Sequence, residues 1–180
     1  LTLDYQQDQN GTADIIVRGT SNGQTVVDTF TVTVSALNDS PVVITPTDSV
    51  VTEGVEISLE NISFIDVDLN DIGSTESHTA TVDWGDGSAL EDLGSVNSTF
   101  SSGSHTYSQN GKYTVTVTVI DSSSTANSDT FTVTVNDTVP TADLSGDSNL
   151  VEGAAGSYDA SASNGYDTPL TYEWDWDYDG

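Results

Sequence analysis

The chain has 180 residues, enough for one large domain or nearly two of about 100. Only 2 Lys or Arg stand against 29 Asp or Glu. The formal charge of -27 excludes a nucleic-acid binder, which needs a basic footprint, and disfavours anionic membrane surfaces. No apolar run approaches the roughly 18 residues of a spanning helix, and with Cys at 0 neither a disulfide framework nor a thiolate metal site can form.

Taken from the N-terminus, residues 13–17 form a short apolar, β-branched run, closed by the turn signal Asn22-Gly23. Residues 30–34 alternate Thr with apolar residues, and Leu37-Asn38-Asp39-Ser40-Pro41 reads as a linker that ends the ladder. A strand ending at Phe64-Ile65 leads into the acidic stretch Asp66-Val67-Asp68-Leu69-Asn70-Asp71. Asp86-Gly87 and Asn110-Gly111 mark turns before residues 113–119, where Thr lies on one face and an apolar residue on the other. Residues 131–135 repeat that alternation and residues 135–140 repeat the Asn-Asp…Pro linker. After the turn signal Asn164-Gly165, residues 174–179 read Trp-Asp-Trp-Asp-Tyr-Asp, with aromatics on one face and carboxylates on the other if extended. No segment carries helical periodicity. The expected fold is all-β, tandem immunoglobulin-like antiparallel β-sandwiches.

An internal repeat fixes the organisation. The heptapeptide DTFTVTV at residues 28–34 returns at residues 129–135, and Gln9-Asn10-Gly11 returns as Gln109-Asn110-Gly111. The segment from Ser49 is echoed by the one from Ser148. Residues 1–39 therefore match the end of a unit, 40–138 a whole unit and 139–180 the first part of another. With no initiator Met and no signal-like start, the chain reads as a mature product or a piece of something longer. Either it belongs to a covalent array, or residues 139–180 of one molecule complete residues 1–39 of the next, head to tail.

Three motifs in order carry a family resemblance: Val82-Asp-Trp-Gly-Asp-Gly-Ser88, His105-Thr-Tyr107, and Gly111-Lys-Tyr-Thr-Val-Thr-Val-Thr-Val119. Together they resemble the polycystic kidney disease (PKD) domain, a β-sandwich family. Residues 139–180 resemble the first part of another such domain, although the turn reads Trp176-Asp-Tyr-Asp-Gly180 where the family usually has Trp/Phe-Gly-Asp-Gly. Residues 1–39 lack the His-x-Tyr motif and resemble the last strands of a bacterial cadherin-like repeat. The resemblance implies an extracellular, non-catalytic spacer or adhesive module. It further implies calcium, which several such domains bind, with ligands from the acidic loop and from Asp83 and Asp86.

Calcium takes six to eight oxygens from carboxylates, amides and carbonyls, and Asp66, Asp68, Asn70 and Asp71 can supply three or four of them. The glycine and distal glutamate of an EF-hand are missing from that loop, and the alternative is carboxylates that merely solvate it. A second candidate set is Asp159, Asp167, Asp175, Asp177 and Asp179, whose aromatic neighbours are expected in a core rather than on a carbohydrate platform. Asn38, Asp39, Asn136 and Asp137 are candidates to stiffen the two linkers. Catalysis has little support: a triad needs a His near a Ser and a buried acid, and of the two histidines His105 belongs to the His-Thr-Tyr strand motif and His78 precedes a Thr-rich strand, so both are expected to be structural. Zinc would need clustered His or Cys. Asn10, Asn38, Asn61, Asn97 and Asn136 are glycosylation sequons, many of which arise by chance in a Thr-rich chain.

The expected function is a structural or adhesive repeat of a large bacterial cell-surface or extracellular fibre protein. Its partners would be neighbouring domains or copies of itself, with a glycan or surface receptor as a further ligand and no membrane insertion. The alternative is an accessory module of a secreted hydrolase that holds polysaccharide or protein, using Trp84, Trp174 and Trp176 if they are exposed.

Overall fold

The computed structural model describes residues 4, 6–71, 74–167 and 169–176. In chain order the strands are β1 (Gly11–Ser21), β2 (Gln24–Val34), β3 (Val42–Ile44), β4 (Ser49–Thr52), β5 (Glu56–Ser58), β6 (Ile62–Ile65) and β7 (His78–Asp83). They continue with β8 (Glu91–Val96), β9 (Thr99–Phe100), β10 (Ser104–Thr106), β11 (Gly111–Asp121), β12 (Ala126–Asn136), β13 (Ser145–Gly146) and β14 (Tyr158–Asp159). One 3-10 turn, Asp68–Asn70, follows β6.

Alternation makes the central strands. Along β11, Val115, Val117 and Val119 are buried while the intervening threonines are half-buried, because successive side chains leave a pleated strand on opposite faces. β12 does the same with Phe131, Val133 and Val135. These two strands sit inside a five-stranded sheet ordered β4-β12-β11-β7-β8, in which β4 runs parallel to β12 and the other pairs are antiparallel. Between Ala80 and Thr81 the β7–β8 register slips, and Gly94 supplies the left-handed φ of 62° there.

A second layer, β3-β6-β9, contributes Val43, Ile62 and Phe64 to the same core. β5 and β10 form a short ladder of their own. Buried Val and Phe side chains are each worth about 1.5–3 kcal/mol, and every buried apolar side chain among the described residues lies between Pro41 and Val135.

The flanking segments are built differently. β1 and β2 form an antiparallel hairpin with Gly11 opposite Val34, closed by Asn22 and Gly23 at φ 48° and 79°, the two left-handed positions of a type I′ turn. Gly111 stands opposite Val135 in the β11–β12 pair in the same way. Their burial is opposite: Phe30 is 53% exposed, whereas Phe131, at the same place in the identical heptapeptide, is 6% exposed. The difference is the second layer, since β1 and β2 pair with no other strand among the described residues.

At the other end, β13 and β14 make a two-residue ladder and Thr141 bridges Asn164. The alternating segment expected over 174–179 is not a strand at residues 174–176, and residues 177–179 lie outside the described residues. Trp174 and Trp176 are exposed rather than part of a core. Their rings stack on each other at 6.2 Å, and Tyr158 meets Trp176 edge-on at 5.2 Å.

Candidate functional site: the two acidic junctions

β11 spans the sandwich, and acidic side chains collect beyond both of its ends. At the Asp121 end, the register sets Asp121 beside His78, the first residue of β7. β6 ends just before Asp66, which delivers that carboxylate to the same place. Asp66 and His78 are both buried, and His78 Nε2 and Asp66 Oδ2 share a 2.8 Å hydrogen bond. The Phe64 ring covers the imidazole at 4.5 Å. Glu76 brings a third group, with one oxygen of Asp66, one of Glu76 and a His78 nitrogen all within 4.8 Å of one another. Glu76 Oε2 is buried without a hydrogen-bond partner. Partial burial, followed by the charge of Asp66, pushes the Glu76 carboxyl above its ordinary range, against the opposing pull of His78.

The first linker is tied into this cluster. Asn38 Nδ2 donates to Asp121 Oδ2 and to Thr125 Oγ1, each at 2.9 Å, and the Asp39 N–H donates to Asp68 Oδ2 at 2.7 Å. Asp68 in turn donates its N–H to Asp66 Oδ1 at 3.2 Å. Asp121 also accepts from the N–H groups of Ser123 and Thr125 and from the Thr125 hydroxyl. Burial alone would raise Asp121, but the bonds from Thr125, Asn38 and Ser123 outweigh it and hold its carboxyl below the usual range. Asp39 shifts the other way, raised by desolvation and then by Asp8, Asp68, Asp66 and Asp71. Asp8, Asp39, Asp68 and Asp71 line one cleft of about 290 Å³ between the end of the first hairpin and the 3-10 turn.

Of the expected loop ligands, Asp66 and Asp68 are thus brought together and Asp71 lies on the cleft wall. Asn70 falls within the 3-10 turn, its side chain outside the described residues. Asp83 and Asp86 do not join them. Asp83 ends β7 and Asp86 lies beyond it, so both sit at the far end of that strand, roughly 16 Å or more of chain from His78 at the rise of a strand and too far to share an ion with Asp66. Asp83 accepts the Gly85 N–H and Asp86 accepts the Ser88 N–H, so both close their own turn. Asp86 also bonds His105 Nε2 at 2.9 Å. Burial raises the Asp86 carboxyl, but the bonds from Ser88 and His105 prevail and lower it.

His105 is stacked on Trp84 at 4.6 Å. Trp84 is only 2% exposed and donates Nε1–H to Glu91 Oε2 at 3.1 Å. Tyr107 donates its hydroxyl to the Trp84 carbonyl at 3.0 Å. Trp84 is therefore core and unavailable as a sugar platform.

The second junction lies beyond the opposite end of β11, where β12 and β4 finish. Glu53, which follows β4, is 1% exposed. Its carboxylate lies with those of Asp137 and Asp167, one oxygen of each within 4.8 Å of the others. Asp159, grouped with Asp167 by sequence, instead accepts the N–H of Ser161 at 2.8 Å, and that bond lowers its carboxyl. Asp175 does not share this cluster, and Asp177 and Asp179 lie outside the described residues.

Sequence reasoning missed Glu53, Glu76 and Asp121 as members of these clusters. The only signal for Glu53 was the recurrence of Glu-Gly at Glu53-Gly54 and Glu152-Gly153. Among the sequons, Asn61 and Asn97 are exposed in turns, Asn10 precedes β1 and Asn136 ends β12. Asn38 spends its amide nitrogen on Asp121 and Thr125, bonds that a glycan on that nitrogen would displace.

An antiparallel sandwich with its polar chemistry gathered at the two ends, where chain enters and leaves, defines an immunoglobulin-like module. The chain belongs to the PKD domain family: that family's model, described as PKD domain, matches residues 38–135. No curated protein matches the chain. PKD domains are structural and adhesive modules of extracellular proteins and are non-catalytic. Among the described residues no helix is long and apolar enough to cross a membrane.

Proposed function

We propose that this chain is a tandem segment of a bacterial cell-surface or fibre protein, in which β-sandwich units are joined end to end and calcium stiffens the junctions. The observation that carries the reading is the β1–β2 hairpin. It shares sequence and register with β11–β12 yet leaves Phe30, Ile16 and Val17 uncovered. A strand pair of this kind is an aggregation hazard unless a second layer covers it. The natural cover is the first half of a like unit, supplied by a neighbouring domain or by residues 139–180 of another copy. The carboxylates at the first junction repel one another, with Asp39 and Glu76 both raised, and a hard divalent cation relieves that repulsion. Small-angle scattering with calcium and then with chelator tests the reading. The particle is expected to shorten and become more flexible under chelator; a profile that does not change removes calcium stiffening.

A second reading, an accessory module that holds polysaccharide for a secreted hydrolase, is favoured by the exposed stacked pair Trp174 and Trp176. Quenching of tryptophan fluorescence by glycans, abolished in Trp176→Ala, is its expected signature.

A further inference from the structure

We propose that Glu53, Asp137 and Asp167 form a calcium site that clamps the middle sandwich to the segment following it. The proposal rests on the calcium reading above but concerns a different place, at the opposite end of β11.

The central fact is the state of Glu53. Its backbone is fixed by its N–H donating to the Asn136 carbonyl at 3.0 Å. One carboxylate oxygen, Oε1, accepts the Thr138 N–H at 2.9 Å. The other, Oε2, is buried and has no hydrogen-bond partner. An oxygen so shielded has given up water with no hydrogen bond to replace it, which is costly. No base compensates it: among the described residues neither Arg18 nor Lys112 forms an ion pair, and both ion pairs that do form use histidines elsewhere. The groups that do approach are two more carboxylates, Asp137 and Asp167. A buried acid facing two acids calls for a cation.

The donors select which one, since carboxylate oxygens without nitrogen or sulfur suit a hard cation such as calcium. One oxygen from each of the three carboxylates lies within 4.8 Å of the others, close enough for all three to share one ion. Three oxygens from carboxylates leave the remaining positions to carbonyls and water, as is usual for this ion.

The chain is also built to hold Asp167 there. Gly54 adopts φ 74°, and a Cβ at that position would overlap the Tyr166 ring, so the ring lies directly on the Gly54 backbone. Gln109 Nε2 donates to the Tyr166 carbonyl at 3.2 Å. Thr141 and Asn164 exchange two backbone hydrogen bonds, of 2.8 and 2.9 Å, which fold the segment back on itself. Residues 164–167 therefore return to the end of the middle sandwich. The three ligands come from after β4, from the linker and from the following segment, so an ion bound by all three fixes the angle of the joint.

The test is calorimetric titration of calcium into the chelator-stripped 180-residue chain, alongside Glu53→Gln, Asp167→Asn and Asp68→Asn. Glu53→Gln and Asp167→Asn are each expected to weaken the same binding step by about tenfold or more, the loss seen on removing even an outer-shell partner of a metal. Asp68→Asn, at the other junction, should leave that step intact. Asp167 is exposed and outside the core, so its variant keeps the comparison valid if Glu53→Gln unfolds. Isotherms of Glu53→Gln and Asp167→Asn that superimpose on the parent, or a parent that takes up no calcium, overturn the site. A loss shared equally by Asp68→Asn also overturns it, since the effect would then be general charge reduction. Failure confined to Glu53 and Asp167 leaves stiffening at the first junction standing; a particle insensitive to chelator despite these binding steps removes the stiffening and leaves this site.

Discussion

Asp129 shows how this chain uses its acids in the absence of bases. Its carboxylate accepts the N–H and hydroxyl of Thr45 at 3.1 and 2.8 Å and its own neighbour's N–H at 2.8 Å, which lowers it below the usual Asp range. Asp121 is lowered by the same device. A carboxyl held low in the fold stabilises at pH above its unfolded value of about 3.9, and that contribution disappears as pH falls through the folded value. Asp129→Ala is therefore expected to cost about 1–3 kcal/mol near neutral pH, and urea melts should show the gap closing in acid. Asp39 and Glu76 carry the opposite sign, because their raised carboxyls favour the fold when protonated and lose that advantage as pH rises. Cutting away the Asp66 carboxylate leaves His78 buried with no acceptor. Asp66→Ala should cost about 2–3 kcal/mol in chemical denaturation.

At the scale of the element, the two hairpins are a built-in control. Phe131→Ala removes a ring packed between two sheets and should cost about 3–5 kcal/mol. Phe30→Ala alters the same heptapeptide where the ring faces solvent, and its effect on global stability should stay within about 0.5 kcal/mol. Thermal unfolding of the two variants under one condition checks both values. A large loss at Phe30 would mean that its face is already covered in solution, as head-to-tail complementation between copies requires. The turn of the first hairpin was legible in Asn22-Gly23, which supports only a tight turn of one hand, and the alternation of β11 and β12 was legible too, but no turn residue marked the connection between those two strands. The slip between β7 and β8 was not legible, because it depends on which strand Gly94 lies against.

For the whole molecule, charge and geometry act together. A formal charge of -27 on 180 residues favours solubility but strains a compact state through self-repulsion. Sodium chloride should therefore raise the melting temperature, and calcium should raise it further at far lower concentration if the junctions bind it. Differential scanning calorimetry in the two salts separates screening from site binding. The junctions lie at opposite ends of β11, roughly 33 Å apart at the rise of an antiparallel strand. Ions at both would constrain the entering and leaving chain separately, so Asp68→Asn and Glu53→Gln should lengthen the list of accessible shapes independently in scattering.

The sequence by itself determined the all-β fold, the PKD-type middle unit and the acidic loop at Asp66 and Asp68, because alternation, turn residues and clustered carboxylates are local patterns. Tertiary structure decided what those patterns could not contain. It separated Asp83 and Asp86 from Asp66 by the length of β7, and it withdrew Trp84 into the core. It also gave Phe30 and Phe131 opposite environments from identical neighbours, and carried Glu53 to acids at residues 137 and 167. Burial and ligand grouping depend on which surface arrives from elsewhere in the chain. A heptapeptide encodes a face to be covered, but not the layer that covers it.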